Sequence, residues 1–539
     1  MTVIAAFLAA GVLTAQEDAA SITQRIEVTR QYVPELGEAQ KLDFPPRMAD
    51  TVTLKPDISY AITPTPWKSV FDTEPIAPVA ISTAEYRHQR PFYLMLGGGY
   101  PAQSRLDFYA AFSTPRDIRA GVYANHVGQW AKLENERGTK EPASWTENGA
   151  GYAGRDFGTR SLDFDIRYGY NYYTTMDKVW TGYMEPENIY YHKVQTSLTF
   201  GDAFTDLSRF NYRFGIAGSL WGTVVENPAA SAFADFGWKA GRRGAVVVGA
   251  SFEGAWNDWD TGDWYAALVP EYRLRTDRLS LHVGVKFYYD SFRLSATDCG
   301  SHFFVLPKVG VSYELADAFI PYASLDGEIG TGNYLELAGL NPYIHEADIA
   351  GAKRAELRGG FRGDAGDVVT YDVYAGYLIG ELPYFLKTGE TFVPRLAPVN
   401  LFYAGAGVGL KLPMGFGLQA GVRYDSYNNA GNFWSGRGGR VGMGIPEFTV
   451  TGRASYCYRD RFSVGISVEV LGERRFASLQ NLDTAVPATV NLKVDAEYKT
   501  GPRFSIFAAG DNLLNRRIYR CLGYPALGAN AVAGIRMLF

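Results

Sequence analysis

Cysteine, histidine and long apolar runs are all scarce in this chain, and each scarcity removes a class of protein. Of 539 residues only three are Cys (Cys299, Cys457, Cys521) and six are His. An odd set of cysteines without C-x-x-C spacing gives neither a zinc site nor a disulfide framework, leaving isolated thiols or at most one bridge. The histidines, at 88, 126, 192, 282, 302 and 345, show no metal-ligand spacing, and His345 with Glu346 lacks the second His one turn on that a zinc protease needs. The motifs G-x-S-x-G and G-x-x-x-x-G-K-[ST] are absent as well, so no catalytic residue, cofactor or metal ligand is assigned and no enzyme is expected. A basic excess is also missing: 52 Lys and Arg against 57 Asp and Glu leave a formal net charge of −5, which disfavours nucleic acid as a partner.

The only long apolar run, Val3 to Leu13, is eleven residues, too short to cross a bilayer as a helix but suited to the apolar region of a secretory leader. Cleavage after Ala15 is expected, although no Lys or Arg precedes the run and Leu13 stands where a small residue is preferred. Residues 16–89 then carry eight prolines (Pro34, Pro45, Pro46, Pro56, Pro64, Pro66, Pro75, Pro78). Such density prevents regular helix and central strand, so the segment reads as an extended periplasmic arm.

What the chain has in quantity is glycine and aromatics: Gly 59, Tyr 36, Phe 32 and Trp 10, at a mean hydropathy of −0.14. From residue 90 a period of two dominates. Leu162, Phe164, Ile166, Tyr168 and Tyr170 alternate with Asp163, Asp165, Arg167 and Gly169; Leu281, Val283, Val285, Phe287 and Tyr289 alternate with His282, Gly284, Lys286 and Asp290. Val490, Leu492, Val494, Ala496 and Tyr498 alternate with Asn491, Lys493, Asp495, Glu497 and Lys499. A soluble sandwich also alternates, but these segments are about 10 to 15 residues long, end in tyrosines and are joined by connections that alternate short and long. The expected fold is therefore all-β: a transmembrane, antiparallel, up-and-down barrel of about 20–22 strands spanning residues 90–539, in the cell outer membrane, with lipid as its surroundings.

The closing stretch GDNLLNRRIYRCLGYPALGANAVAGIRMLF resembles the end of TonB-dependent receptor barrels. The matching positions are Asn512, Leu513, Asn515 and Arg516, then Tyr524, Pro525 and Gly528, then Gly534, Arg536 and Phe539. Asn341, Pro342 and Tyr343 resemble the segment before a mid-barrel strand in the same family. The resemblance implies a large receptor-type barrel and a last strand whose Ile535, Met537 and Phe539 form the closing signal read by the barrel-assembly machinery. It departs from the family at the N-terminus, where residues 16–89 are too few and too rich in proline for the folded plug such receptors carry.

Lumen-facing charges are the remaining candidates for function: Asp163, Asp165, Arg167, His282, Lys286, Asp290, Lys493, Asp495 and Glu497. A ring of one sign would filter solutes. Mixed signs favour cross-strand ion pairs that fill and stiffen the lumen. Two roles compete: a solute pathway filled or gated by arm, loops or a partner, and a non-transporting subunit of an outer-membrane complex with an outer-membrane or periplasmic protein partner.

Overall fold

The computed structural model describes residues 91–539 apart from 114–116, 136–137, 141–142, 176–187, 205–207, 223–225, 258–260, 296–297, 317, 345–350, 367, 390 and 430–439. The expected leader (1–15) and arm (16–89) lie outside the described residues. Each alternating segment forms a strand, and 22 strands join in one antiparallel sheet. Every strand pairs with its sequence neighbours, and the last, Asn530–Leu538, pairs with the first, Phe92–Tyr100. Closure leaves no sheet edge, which is the condition for crossing lipid with strands.

The seam is fixed at both ends. Tyr93 lies opposite Leu538 and Tyr100 opposite Ala531, while Phe92 and Phe539 exchange backbone hydrogen bonds of 2.9 and 3.1 Å. Their rings stack with centroids 5.8 Å apart. Along the wall, Leu162, Phe164, Ile166 and Tyr168 are 38–45% exposed, and apolar residues at alternate positions of other strands, including Ile216, Val305, Leu357, Phe402 and Ile506, are 43–60% exposed. An apolar outer surface of this extent is a lipid-facing belt, and it places the barrel in the outer membrane.

Strand length is uneven, and the unevenness builds the outer end. Val369–Thr388 and Thr391–Leu412 contain 20 and 22 residues, against 13 in the following strand Phe416–Asn428. The barrel neighbours pair with this hairpin only up to Gly380 on one side and Asn400 on the other. Residues 381–388 and 391–399 therefore rise as a two-stranded ribbon, which is marginal alone and must pack against something. They pack on two long loops: Lys387 bridges to Ser478, and Phe392 bridges to Ile344.

Candidate functional site

The long outer loops fold inward and meet. The first carries a short helix, Tyr334–Leu340, started by Asn333, whose side chain accepts from the Leu335 N–H at 2.9 Å. Asn227, at the outer end of a wall strand, accepts from the Tyr334 N–H at 3.3 Å. After the helix, the Asn341 side chain accepts from the Tyr343 N–H at 3.0 Å, which fixes the chain at the helix exit. The Asn-Pro-Tyr segment is thus a helix exit that ends on one tyrosine.

That tyrosine is where the loops converge. Tyr343 stacks on Tyr524 with centroids 3.8 Å apart and meets Tyr173 edge-on at 5.3 Å. Phe392 packs on Tyr524 at 6.0 Å and donates its N–H to the Tyr343 carbonyl at 3.0 Å. Trp221 stacks on Tyr334 at 4.8 Å. With Ile189, Tyr191, Leu337, Ala338, Ile344 and Cys521 these residues form one buried apolar cluster. In the order of strands around the barrel, Trp221, the neighbouring pair Tyr334 and Phe392, and Tyr524 lie in three well-separated sectors. Contacts between such sectors can be made only across the bore, so the cluster is the core of a cap over the outer mouth. A second cluster, with Tyr384, Ala397, Val441, Ile445 and Ala477, joins the raised ribbon to the loops before and after the strand pair 448–471.

The C-terminal motif builds the cap's third contributor. Asn512, 2% exposed and with φ +50°, accepts from the Arg516 N–H at 2.9 Å and donates to the carbonyls of Arg516 (2.7 Å) and Leu527 (2.8 Å). Asn515 accepts from the Ala529 N–H at 2.9 Å. The two asparagines clamp both ends of the loop, which presents Tyr524 to Tyr343. Burial pushes the Cys521 thiol up to about 12, so it behaves as a small apolar side chain.

The charges singled out from the sequence stand opposite the apolar belt and are paired. Asp163 meets Arg119 at 3.0 Å, and Asp165 meets Arg167 at 2.8 Å. Lys286 meets Asp326 at 2.6 Å; Asp290, 0% exposed, meets Lys353 at 2.7 Å and His302 at 3.3 Å. Lys493 lies 3.7 Å from Asp511, Asp495 holds Arg453 through two hydrogen bonds of 2.8 and 3.0 Å, Glu497 pairs with Arg536, and Lys499 meets Asp460 at 2.9 Å. His282 lies over Gly310, where a Cβ would come within 2.0 Å of its ring. The partners Arg119, Asp326, Lys353 and Arg453 were not singled out, because a partner two or three strands away is found only once the register is known. Further pairs such as Arg354–Glu328 and Arg423–Asp425 (2.7 Å) extend the network along the wall.

No protein-family model matches the sequence, and no curated protein does either. Solved structures do match. The FrpB iron transporter from Neisseria meningitidis superposes with a TM-score of 0.67 at 10% identity, over 84% of this chain and 83% of that one. A mutant of the ferric enterobactin receptor PfeA from Pseudomonas aeruginosa gives 0.60 at 11% identity, over 83% and 80%. The copper transporter OprC gives 0.60 at 13%, over 84% and 82%. At these identities the likeness is one of fold: the chain folds as an outer-membrane β-barrel of the TonB-dependent-receptor type.

Proposed function

We propose that the protein is a gated outer-membrane pathway for a solute, closed at its outer mouth by its own loops. The observation that supports this reading is the contact of Tyr524 with Tyr343 and Phe392 across the bore. A wide barrel left open would leak, and a scaffold needs no closure made of hinged loops whose aromatic contacts can separate. The neighbours named above are a transporter of iron, a receptor for ferric enterobactin and a transporter of copper; their solutes are theirs. On the same reading the barrel-assembly machinery inserts the chain through its closing segment.

Planar-bilayer recording tests the proposal. The full-length protein should conduct little, and replacing residues 333–343 by a short Gly/Ser linker should open a large, steady conductance. Deleting about residues 20–85 in the same assay measures the arm's share. If neither deletion conducts, the bore is packed by wall side chains and the alternative, a non-transporting subunit of an outer-membrane complex, takes its place.

A further inference from the structure

Beneath the cap, between its helix and the wall, lies a cavity of about 420 Å³. The size is that of a small-molecule site. Its lining is in part apolar, with Leu335, Ala338, Tyr343 and Tyr524, and in part polar, with Asn171, Tyr173, Lys193 and Arg520. The charged lining is entirely cationic.

Two groups of the polar lining are held for use. Lys193 is partly buried, and among the described residues its ammonium has neither an ion pair nor a hydrogen bond. Its stem lies across the facing strand at Gly169, where a Cβ would come within 2.1 Å of Cε, so glycine at that position makes room for the lysine. Asn171 is 5% exposed and donates its Nδ2 to Thr146 Oγ1 at 3.0 Å and Tyr173 Oη at 3.1 Å. Its Oδ1 is buried without a donor. A buried acceptor left open and an unpaired ammonium in one cavity each cost stability unless a ligand satisfies them.

We propose that this cavity binds a small organic monoanion, a carboxylate on an apolar or aromatic body that also bears a hydroxyl or N–H group. Lys193 takes the carboxylate, Asn171 Oδ1 accepts from the donor, and the Tyr343–Tyr524 stack covers the apolar body. Of the two lining cations Lys193 is half-buried and Arg520 is exposed, and one half-buried ammonium matches one negative charge better than the nearly two of a phosphate monoester. Because the Tyr343–Tyr524 stack is both the cavity's cover and the cap's keystone, occupancy would couple directly to the cap. This inference deepens the pathway reading by naming the class of solute and rests on it for the meaning of the site, although binding itself is measured without transport.

Titration calorimetry of the full-length protein in detergent, with 3-(4-hydroxyphenyl)propionate as probe, tests the site. The acid should bind with a Kd in the micromolar to millimolar range, its methyl ester at least tenfold more weakly, 3-phenylpropionate several-fold more weakly, and phenyl phosphate no better than the acid. Lys193→Met should weaken the acid at least tenfold while leaving the ester unchanged, and Asn171→Leu should abolish the advantage of the hydroxylated acid. Equal affinity for acid and ester, tighter binding of phenyl phosphate, or no binding overturns the proposal, and the ester comparison needs no variant to fold. A protein that binds the acid but never conducts refutes the pathway and keeps the site; one that conducts after cap removal but binds nothing does the reverse.

Discussion

Asp290 illustrates what a single lumen charge does. It is fully buried, with Lys353 at 2.7 Å and His302 at 3.3 Å, and Lys353 is itself only 5% exposed and lies over the Phe304 ring at 3.7 Å. Removing one partner of such a pair leaves the other charge in a poorly solvated place, which typically costs roughly 3–5 kcal/mol. Asp290→Ala should therefore lower stability by about that much in urea unfolding from lipid micelles, and Asp290→Leu combined with Lys353→Met should recover most of the loss. Glu336, on the cap helix outside the membrane, gives a pH dependence of the opposite kind. Burial, with the nearby Glu253 adding repulsion, pushes its carboxyl up to about 7 from an ordinary 4.5. The folded cap then binds more protons than the unfolded one between those values, so its stability falls as pH rises from about 4.5 to about 7 and is level outside that window. Amide exchange of residues 334–344 should be slower at pH 5 than at pH 8 after correction for intrinsic rates, and Glu336→Gln should remove the difference.

At the scale of elements, closure is decided by the last strand. Gly534 sits where a Cβ would come within 2.0 Å of the Leu96 carbonyl oxygen, and Gly99 where one would come within 2.4 Å of the Ala531 carbonyl oxygen, so the seam tolerates no side chain at either point. Ile535 and Phe539 stand on the exposed face and Arg536 turns inward to Glu497. Phe539→Ala removes the stack on Phe92 and should lower the heat-modifiable, folded fraction in membranes; Gly534→Val should abolish it, while molecules of the Phe539 variant that do fold conduct and bind as the parent does. Unchanged abundance and gel mobility for Gly534→Val would show that closure does not run through this register. Strands were legible in the sequence because alternation has a period of two and one face is apolar: the alternating segments 162–170, 281–290 and 490–499 fall inside the strands Arg160–Thr174, Leu279–Ser295 and Thr489–Lys499. Pairing of charges was legible only as mixed sign. Arg119 is 44 residues from Asp163 and Arg453 is 42 from Asp495, and nothing local in the chain joins them.

For the molecule as a whole, the cap was the least legible feature, and the reason is physical. Tyr334 and Tyr524 come from connections, and an irregular segment has no period from which a buried face can be inferred, while Trp221 and Phe392 stand at the ends of wall strands. Only the fold brings them together, from separate sectors of a 22-strand ring. The same arrangement implies two units of local stability. The cluster around Tyr343 holds together the helix loop, the ribbon tip and the C-terminal loop, whereas the cluster around Tyr384, Val441 and Ala477 has its own core and its own backbone ties, from Lys387 N–H to the Ala477 carbonyl at 3.0 Å and from Gly444 N–H to the Arg475 carbonyl at 2.7 Å. Segments with separate cores open separately. Tyr343→Ala deletes the ring shared by all three contributors of the first cluster, a truncation worth roughly 3 kcal/mol in a packed core. Hydrogen exchange should then show residues 334–344 and 519–527 losing protection together, by similar factors, while residues 441–445 and 476–486 keep theirs. If protection fell equally in both groups, the cap would be one cooperative lid and opening the mouth would require unfolding every outer loop at once. If only residues 334–344 changed, Tyr343 would be an ornament of its own loop, and the closure across the bore would have to be carried by Phe392 and Tyr524 alone.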